Sequence, residues 1–370
     1  MKIVIAPDSF KGSVSAREAA EAIAAGLTEV WGDTCQTVLF PIADGGEGTL
    51  DALVAPENRR AVTVTGPDFK PVEAVYGYMG DTAVVEMAAA AGLTLVEESR
   101  RRAAKATTYG VGELILAALR DGCKQLMLTV GGSATNDGGC GMLAALGGVF
   151  RNGAGEAFVP TGGSLGEIEE IDLSGLTPML KDCRVIIATD VKNPLVGECG
   201  ATHVYGRQKG ANDEELAAME AGMKHYAELV ERMTCKAHWA TEGCGAGGGI
   251  SLPLLAFAGA QIRSGIETVL EVNGFREQLR DADLVITGEG RLDVQSLYGK
   301  AISGVTDAAK EAGVPVACFV GCLGDDEQEI RAMGIREIRT VASLAESVED
   351  SMNNAAKYLR RMAKEMARES

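Results

Sequence analysis

The sequence predicts an α/β fold of two domains, in which a discontinuous Rossmann-like domain with a parallel sheet carries an inserted mixed α/β domain. Short apolar segments alternate with helical segments at both ends of the chain, which is typical of a parallel sheet covered on both faces. The middle of the chain instead carries short extended segments joined by tight turns. A length of 370 residues also exceeds the size at which a single hydrophobic core usually stops growing. We therefore expect the Rossmann-like domain in residues 1–60 plus 290–370 and the inserted domain in residues 61–289.

The two ends of the chain supply the strands expected in the parallel sheet. A first strand at residues 3–6 leads to a helix that begins with the capping-box spacing of Ser15 and Glu18 and is predicted to end near Gly26. Further strands of this sheet are predicted at residues 37–41, 284–287, 316–320 and 338–342.

The middle of the chain has a different pattern. Residues 61–65, 72–78 and 83–87 are extended segments separated by turns, with no helical segment between them, which predicts antiparallel hairpins. Residues 125–130 and 184–188 are apolar strands, and each runs directly into a polar or glycine-rich loop. This mixture is the basis for expecting an inserted domain of mixed architecture.

Charge and composition narrow the class of protein. The formal net charge is −17, which disfavours nucleic acid and anionic membrane surfaces as partners. An anionic substrate would then need lysine, arginine, helix N-termini or a divalent cation to offset the acidic surplus. The first residues are predicted to form a strand rather than a signal peptide, and the nine scattered cysteines contain no C-x-x-C pair, so we expect a cytoplasmic enzyme with reduced thiols.

Two loops near the amino terminus carry charged and glycine residues directly after predicted strands, where open α/β sheets bind ligands. Residues 7–13 place Asp8, Ser9 and Lys11 between a strand and a helix, and residues 44–49 place two carboxylates among three glycines. Lys11 is suited to hold a carboxylate or phosphate, and the glycines allow the backbone to approach a ligand. A plain turn with a solvated lysine, and a tight turn that caps a helix, are the structural alternatives.

Two further loops lie in the predicted inserted domain. Residues 131–139 form the densest cluster of glycine, hydroxyl and amide groups, which favours a phosphate cradle at the start of a helix. Residues 189–195 place Asp190 at a strand end, where it would ligate Mg²⁺ or accept the proton of an attacking hydroxyl, or act only in an Asx turn. The nearby cations Arg207 and Lys209 are a weaker signal.

The fifth loop, residues 287–293, carries Glu289, Arg291 and Asp293, and Lys300 follows it. The two carboxylates would supply oxygen ligands to Mg²⁺, and the two cations would neutralise phosphate charge during a transfer reaction. The chain has no G-x-x-x-x-G-K-[ST] motif, so it is not expected to be a P-loop enzyme. A G-x-G-x-x-G at residues 243–248 lacks a preceding buried strand and is a weak dinucleotide signal.

Taken in order, these loops resemble the bacterial type I glycerate kinase family. The motifs that carry the resemblance are PDSFKGS at residues 7–13, DGGEGT at 44–49, TYGVGEL at 108–114, GGSATNDGG at 131–139, DVKNPL at 190–195, QKGA at 208–211 and TGEGRLD at 287–293. The resemblance implies ATP-dependent phosphorylation of D-glycerate with Mg²⁺, generally on the 2-hydroxyl. It also implies two domains with a cleft between them. The sequence departs from the family pattern at residues 205–207 and 243–249.

Roles follow as hypotheses within that resemblance. Lys11, Asp190 as the base, Arg291 and Lys300 are the candidate catalytic residues, and Glu289, Asp293 or Asp190 would hold the metal. The residues expected to bind the substrate are Asp8, Ser9, Lys11, Asp44, Gly45 and Gly46. The residues expected to bind the nucleotide phosphates are Gly132, Ser133, Ala134, Thr135, Asn136 and Asp137.

Three other interpretations remain open at this point: a kinase of another small hydroxy acid, a nucleotide-dependent oxidoreductase, and a non-catalytic sensor of a sugar acid. An oxidoreductase needs a dinucleotide-binding turn after the first strand, and Pro7-Asp8-Ser9 does not provide one. A sensor would bind ligand without releasing ADP. The sequence also leaves open whether glycerate or adenine binds at a given loop, and whether the chain forms a homodimer.

Overall fold

The computed structural model describes residues 1–46, 48–293, 301–324, 330 and 333–369. Strands within this part of the chain are β1 (Lys2–Pro7), β2 (Gln36–Leu39), β3 (Arg59–Thr65), β4 (Pro71–Met79), β5 (Thr82–Glu86), β6 (Gln125–Thr129), β7 (Val149–Arg151), β8 (Ala157–Phe158), β9 (Glu170–Asp172), β10 (Arg184–Ala188), β11 (Gln261–Arg263), β12 (Leu284–Leu292), β13 (Val316–Leu323) and β14 (Ile335–Thr340).

The α-helices are joined to these strands by short loops and single 3₁₀ turns. They are α1 (Ala16–Trp31), α2 (Thr49–Leu53), α3 (Ala88–Ala91), α4 (Tyr109–Arg120), α5 (Cys140–Ala145), α6 (Ala201–Tyr205), α7 (Asp213–Thr234), α8 (Ser251–Phe257), α9 (Gly265–Val272), α10 (Phe275–Gln278), α11 (Ala301–Glu311), α12 (Val348–Asn353) and α13 (Ala355–Glu369). Among the described residues, no helix is both long enough and apolar enough to cross a membrane.

The first unit contains residues 1–53 and 264–370 and is built on one parallel sheet. Its strand order is β14-β13-β12-β1-β2, so the two ends of the chain meet where β1 pairs with β12. Ile3 and Ile5 of β1 and Phe319 of β13 are fully buried and pack against α1 and α13. The predicted Rossmann-like parallel sheet made from both chain ends is confirmed.

Helix α1 shows how local sequence and packing combine in this unit. Its predicted capping box is present, because Glu18 N donates to Ser15 Oγ at 3.2 Å and Ser15 N donates to the Glu18 carboxylate at 2.8 Å. The helix continues to Trp31, so Gly26 lies inside it rather than at its end. A Cβ at Gly26 would lie 2.2 Å from the Arg360 carbonyl oxygen, so this glycine allows α13 to approach α1 closely.

The second unit contains residues 54–263 and has a mixed sheet. The strand order is β11-β10-β6-β5-β4-β3, in which β11, β10, β6 and β5 are parallel and β3 and β4 form the predicted antiparallel hairpin. A smaller antiparallel sheet has the order β8-β7-β9. The mixed α/β class expected for this part of the chain is therefore confirmed.

The boundaries between the two units differ from those expected from the sequence. The chain passes from the first unit to the second after Leu53 and returns after Arg263, whereas the sequence placed these points after residues 60 and 289. The reason is that β12 begins at Leu284 and pairs with β1 from Leu284 to Gly288, so β12 and the preceding α9 and α10 belong with the parallel sheet. Strand β3 likewise pairs with β4 from Arg59 onward.

Candidate active site

A pocket of about 610 Å³ lies in the first unit, at the carboxyl end of its parallel sheet. Strands β1 and β12 end side by side there, and the backbone of Asp8 donates to Gly288 O at 2.8 Å. The chain after β2 stays beside β1, since Ile42 N donates to Pro7 O at 3.0 Å. Because the strands are parallel, the loops that follow them meet at one edge, as expected for a ligand site in an open α/β sheet.

The pocket brings together most of the residues that the sequence predicted for substrate, metal and charge neutralisation. Those that line it are Asp8, Ser9, Lys11, Asp44, Glu289, Arg291 and Asp293. Gly45 and Gly46 directly follow Asp44 in the same loop. Lys300, predicted as a catalytic residue, and Glu47, the second carboxylate of residues 44–49, lie outside the described residues.

Three carboxylates dominate the electrostatics of this pocket. Burial and, after it, the negative charges of Asp44 and Glu289 raise the pKa of Asp8 to about 7, against the lowering effects of the hydrogen bond from Ser9 N and of the Lys11 charge. Asp8 is 7% exposed and accepts a hydrogen bond from Ser9 N at 2.6 Å. Among the described residues, no group of three His, Cys, Asp or Glu side chains is already arranged to hold a metal ion. The carboxylates therefore repel one another without forming a closed coordination cage.

The loop after β1 presents Lys11 at its tip. Phe10 N donates to Val14 O at 2.9 Å and Ser13 N donates to Phe10 O at 2.8 Å, which closes a tight turn with Lys11 exposed. The Ser13 hydroxyl also donates to the Met352 carbonyl oxygen of α12, which ties the loop to that helix. Lys11 is thus a cation on a braced turn rather than on a mobile loop.

Asp44 is held by a close approach of two backbones. Gly46 N donates to Asp44 Oδ1 at 3.1 Å, which fixes the direction of the carboxylate. A Cβ at Gly265, the first residue of α9, would lie 2.0 Å from the Asp44 carbonyl oxygen, so a larger residue there would displace the loop. This contact is one physical reason why the chain beyond Arg263 belongs to the first unit.

One wall of the pocket is apolar. It is formed by residues at and after the end of β14 and by α12, namely Val341, Ala342, Ala345, Val348 and Met352. Val348 is 79% exposed and Met352 is 43% exposed, which is unusual for large apolar side chains. The pocket therefore combines a charged end with an apolar surface.

Arg291 and Asp293 form an ion pair with 3.5 Å between Nε and Oδ2, so Asp293 is engaged with a cation at the pocket edge.

The predicted phosphate cradle at residues 131–139 lies in the second unit and is largely interior. Thr135, Asn136 and Asp137 are fully buried, and Ser133 and Ala134 are 6% and 4% exposed. Asp137 accepts hydrogen bonds from Thr108 N at 2.8 Å, Thr108 Oγ1 at 2.9 Å, Gly139 N at 3.1 Å and Gly141 N at 3.2 Å. Asn136 donates to Thr202 Oγ1 at 3.0 Å.

The side chains of Thr135, Asn136 and Asp137 thus face the interior rather than solvent, and those of Asn136 and Asp137 join this loop to the starts of α4, α5 and α6. Gly132 remains exposed, and Ala134 lines a separate cavity of the second unit. The prediction that residues 132–137 bind nucleotide phosphates therefore gains no support from the side chains of Thr135, Asn136 and Asp137, and for the rest of the loop it stays a prediction.

Lys209 is a residue whose importance the sequence understated. It is 3% exposed, and its ammonium donates to Ser133 Oγ and to Thr135 O, both at 2.7 Å. Burial lowers the pKa of Lys209 to about 7, an effect that the carboxylate of Asp137 partly opposes. Lys209 thus anchors the glycine-rich loop from inside. The run of two cations flanked by glycines was the available signal, but nothing in the sequence showed that one of them is buried.

The depressed pKa of Lys209 predicts a pH-dependent stability. Between about pH 7 and the ordinary lysine pKa, the folded state has released a proton that the unfolded state still binds, so the free energy of unfolding rises with pH in this window. In a Trp31→Phe background, urea unfolding followed by Trp239 fluorescence reports on the second unit. Between pH 7 and 9, the free energy of unfolding of the wild-type protein should rise with pH more steeply than that of Lys209→Met. The difference between the two slopes should approach about 1.4 kcal/mol per pH unit. The exposed control Lys181→Met should follow wild type, and parallel profiles for all three proteins would contradict the assignment.

Asp190 lies directly after β10, also in the second unit. It is half-buried, and the loop around it is braced by the glycine segment 243–249. Gly243 N donates to Lys192 O at 3.3 Å and Gly245 N donates to Asn193 O at 3.0 Å. Tyr205 donates to Asn193 Oδ1 at 2.7 Å. The G-x-G-x-x-G at residues 243–248 therefore supports the Asp190 loop. Within the described residues, no strand directly precedes it, which agrees with the expectation that this motif is a weak signal for dinucleotide binding.

Comparison with known proteins identifies close relatives along the whole chain. Residues 3–370 match the model described as the glycerate kinase family. A glycerate kinase of Bacillus subtilis strain 168 is 45% identical over 99% of this chain and 97% of that protein. A glycerate 2-kinase of Escherichia coli K12 is 43% identical over the same shares of the two chains. A crystal structure of a protein assigned as glycerate kinase 2, from Salmonella typhimurium LT2, superposes with a TM-score of 0.90 at 42% identity, covering 100% of this chain and 98% of that one.

Proposed function

The chain belongs to the glycerate kinase family, and from this premise we propose that it transfers the terminal phosphoryl group of ATP to the 2-hydroxyl of D-glycerate. The position of transfer is supported by the E. coli relative, whose name specifies a 2-kinase. The structural observation that carries the proposal is the pocket of the first unit. There, an acidic cluster, two cations and an apolar wall occupy one cavity of about 610 Å³.

That pocket fits a nucleotide better than a small acid. Its volume lies within the range of about 300–1,000 Å³ that encloses drug-sized ligands. The exposed side chains of Val348 and Met352 offer an apolar surface for a purine base. Lys11 and Arg291, at the charged end, would neutralise phosphate oxygens. Asp8, Ser9, Lys11 and Asp44 were predicted from the sequence to bind glycerate, and the apolar wall beside these charged groups instead favours the nucleotide.

The acidic cluster would hold a magnesium ion without a closed protein cage among the described residues, because Mg²⁺ usually keeps several waters and binds through one or two carboxylates plus the phosphates of the nucleotide. Asp8, Asp44 and Glu289 provide carboxylate oxygens, the ligands that Mg²⁺ prefers, and their mutual repulsion is the condition that a divalent cation relieves. Bound Mg²⁺ supplies positive charge to the phosphate groups of the nucleotide. Of the metal residues predicted from the sequence, Glu289 remains in this set. Asp293 is engaged with Arg291, and Asp190 belongs to the other unit.

Asp190 remains our candidate for the base that receives the proton of the glycerate hydroxyl. Its position after β10 and its braced backbone meet the requirement for a fixed carboxylate at the ligand-binding edge of a sheet. Phosphoryl transfer depends mainly on positioning and charge neutralisation, so the base is expected to contribute less than the groups that hold the phosphates.

The decisive experiment measures ADP release with D-glycerate, ATP and Mg²⁺ in a coupled assay, with the product identified by ³¹P NMR. The proposal expects glycerate-dependent ADP formation and a phosphomonoester on carbon 2. A product with phosphate on carbon 3 would overturn the proposed position of transfer but leave the glycerate kinase activity standing. ADP formation with tartronate or a sugar acid but not with glycerate would make the enzyme a kinase of a neighbouring hydroxy acid.

Magnesium binding has its own test, which does not depend on activity. Millimolar Mg²⁺ should raise the Tm of the wild-type protein, since a ligand at tenfold its Kd stabilises the folded state by about 1.4 kcal/mol. Asp44→Asn and Glu289→Gln should lose most of this shift. Asp33→Asn, an exposed carboxylate of the same unit, should keep it. An equal shift in all four proteins would place the ion elsewhere.

A further inference from the structure

A second cavity, of about 470 Å³, lies entirely within the second unit and differs in character from the first. It is bordered by the turn between β3 and β4, by residues 96–106 and by Ala134 of the glycine-rich loop. Four of its lining residues are cations, namely Arg100, Arg101, Arg102 and Lys105. Asp68 is the single carboxylate among its lining residues.

These cations are not neutralised by neighbouring acids. Within the described part of the chain, none of the four lies within ion-pair distance of a carboxylate, and Asp68 pairs with Lys70 at 2.6 Å. Arg102 donates to the carbonyl oxygens of Ser99 at 3.3 Å and Arg101 at 2.6 Å, which leaves its charge uncompensated. In a chain with a net charge of −17, four cations that line one cavity without an ion pair among the described residues make that cavity locally basic. A solvated basic surface would be the ordinary explanation if all of them were fully exposed.

Arg101 argues against that ordinary explanation. Its side chain is half-buried, and its Nε is inaccessible to solvent with no hydrogen-bond acceptor among the described residues. A buried donor without an acceptor costs roughly 1–3 kcal/mol, a cost that an anionic ligand accepting from the guanidinium would remove.

The backbone around Arg101 is fixed by the protein. Gly210 has φ of 90°, and a Cβ there would lie 2.3 Å from the Arg101 carbonyl oxygen, so the left-handed turn after Lys209 packs directly on this segment. On the other side, Thr161 Oγ1 and Gly163 N both donate to Ala104 O at 2.8 Å. The cationic segment is therefore held between two loops, as a preorganised binding site requires.

The turn between β3 and β4 adds a strained aromatic residue to the rim of the cavity. Phe69 has φ of 63°, a conformation that side chains with a Cβ rarely adopt, and it is 50% exposed. Gly66 and Lys70 close the turn through a hydrogen bond of 2.6 Å. Strain of this kind is concentrated at ligand sites, because a packed interior would otherwise relax it.

We propose that this cavity is the anion-binding end of the acceptor site, where Arg101, Arg102 and Lys105 bind the carboxylate of glycerate and hold the negatively charged product, while Asp190, which does not line the cavity, acts on the hydroxyl end. This inference rests on the proposed function for the identity of the acid. A phosphorylated acid carries one carboxylate and a phosphate of about −1.5 to −2 charge, and several cations match that total. The guanidinium of Arg101 binds planar anions through two parallel hydrogen bonds. The first unit has the carboxylates that a metal–nucleotide complex needs, whereas the second cavity suits an anion that binds without metal.

The test compares Arg101→Met with Arg120→Met, which removes an exposed arginine at the end of α4 in the same unit. We expect Arg101→Met to raise the KM for D-glycerate about tenfold or more, the effect of losing one charge-assisted hydrogen bond, while the KM for ATP stays within about twofold. Arg120→Met should leave both constants unchanged. Because Arg101 is packed, the double variant Arg102→Met/Lys105→Met, on two exposed side chains, serves as a second probe that should fold normally.

Direct binding separates this inference from the proposed function. Calorimetric titration of D-glycerate and of 2-phosphoglycerate into the wild-type protein should show binding that weakens with added salt and is reduced in both variants. A loss of ATP affinity with normal glycerate affinity would overturn the proposal and make the cavity a nucleotide site. Unchanged affinity for all three ligands in both variants would also overturn it. Absence of ADP release despite glycerate binding at these residues would overturn the kinase function and leave the anion site standing.

Discussion

Replacing Asp190 with Asn is expected to lower kcat by about 10²-fold while leaving the KM for ATP close to its wild-type value. Asn keeps the size and much of the hydrogen bonding of the carboxylate but cannot accept the proton of the glycerate hydroxyl. The loss should fall at the lower end of the usual range of about 10²–10⁴, because a loose transition state for phosphoryl transfer requires little proton removal before the phosphoryl group leaves ATP.

The measurement is steady-state kinetics with both substrates varied, together with the pH dependence of kcat. Asp182→Asn, an exposed carboxylate two residues before β10, is the matched control and should retain full activity. A near-normal kcat for Asp190→Asn would remove Asp190 from the role of base.

The largest expected effect on stability is that of Asp137→Ala. The carboxylate of Asp137 is fully buried and accepts from two groups of Thr108 and from the backbones of Gly139 and Gly141. Removing it leaves those donors without an acceptor and takes away the nearby negative charge that favours protonated Lys209. We expect a loss of about 3–5 kcal/mol in the free energy of unfolding, a large share of the roughly 5–15 kcal/mol that stabilises a typical protein.

Because the chain divides into two units, a single global transition is not assumed, and the unfolding of the second unit is followed through Trp239 in a Trp31→Phe background. Asp137→Asn should lose less stability, since its carbonyl oxygen still accepts hydrogen bonds. Asp81→Ala, an exposed residue in a turn of the same unit, should behave as wild type. An unchanged urea midpoint for Asp137→Ala would show that the four hydrogen bonds do not hold the loop.

The loops of the first pocket follow from local signals in the sequence. Asp8, Asp44 and Glu289 each come shortly after a segment that reads as a parallel strand, and carboxyl ends of parallel strands meet at one edge of a sheet. The sequence predicted that each of these loops binds a ligand, but it placed residue 289 in the inserted domain and did not predict that the three carboxylates lie in one pocket. The capping box of Ser15 and Glu18 was predictable, because both partners lie within one helical turn.

The roles of Asp137, Lys209 and Arg101 were not predictable in this way. The sequence predicts that Asp137 belongs to a phosphate-binding loop, whereas the structure shows that its carboxylate accepts a hydrogen bond from Thr108. The sequence gives no sign that Lys209 is buried, whereas the structure shows that its ammonium donates to the Thr135 carbonyl oxygen. Arg101 lies in a run of three arginines, and nothing in the sequence distinguishes it from its two neighbours. In each case the deciding partner lies far away along the chain and no periodicity or spacing points to it.

The amino-acid sequence by itself determined the alternation of strands and helices, the loops at the strand ends and the family, because these depend on local propensity, hydrophobic period and motif order. The tertiary structure alone decided which polar side chains of those loops line a pocket and which form hydrogen bonds inside the protein. The physical reason is that a buried polar group must find its partner, and the identity of that partner is set by long-range packing.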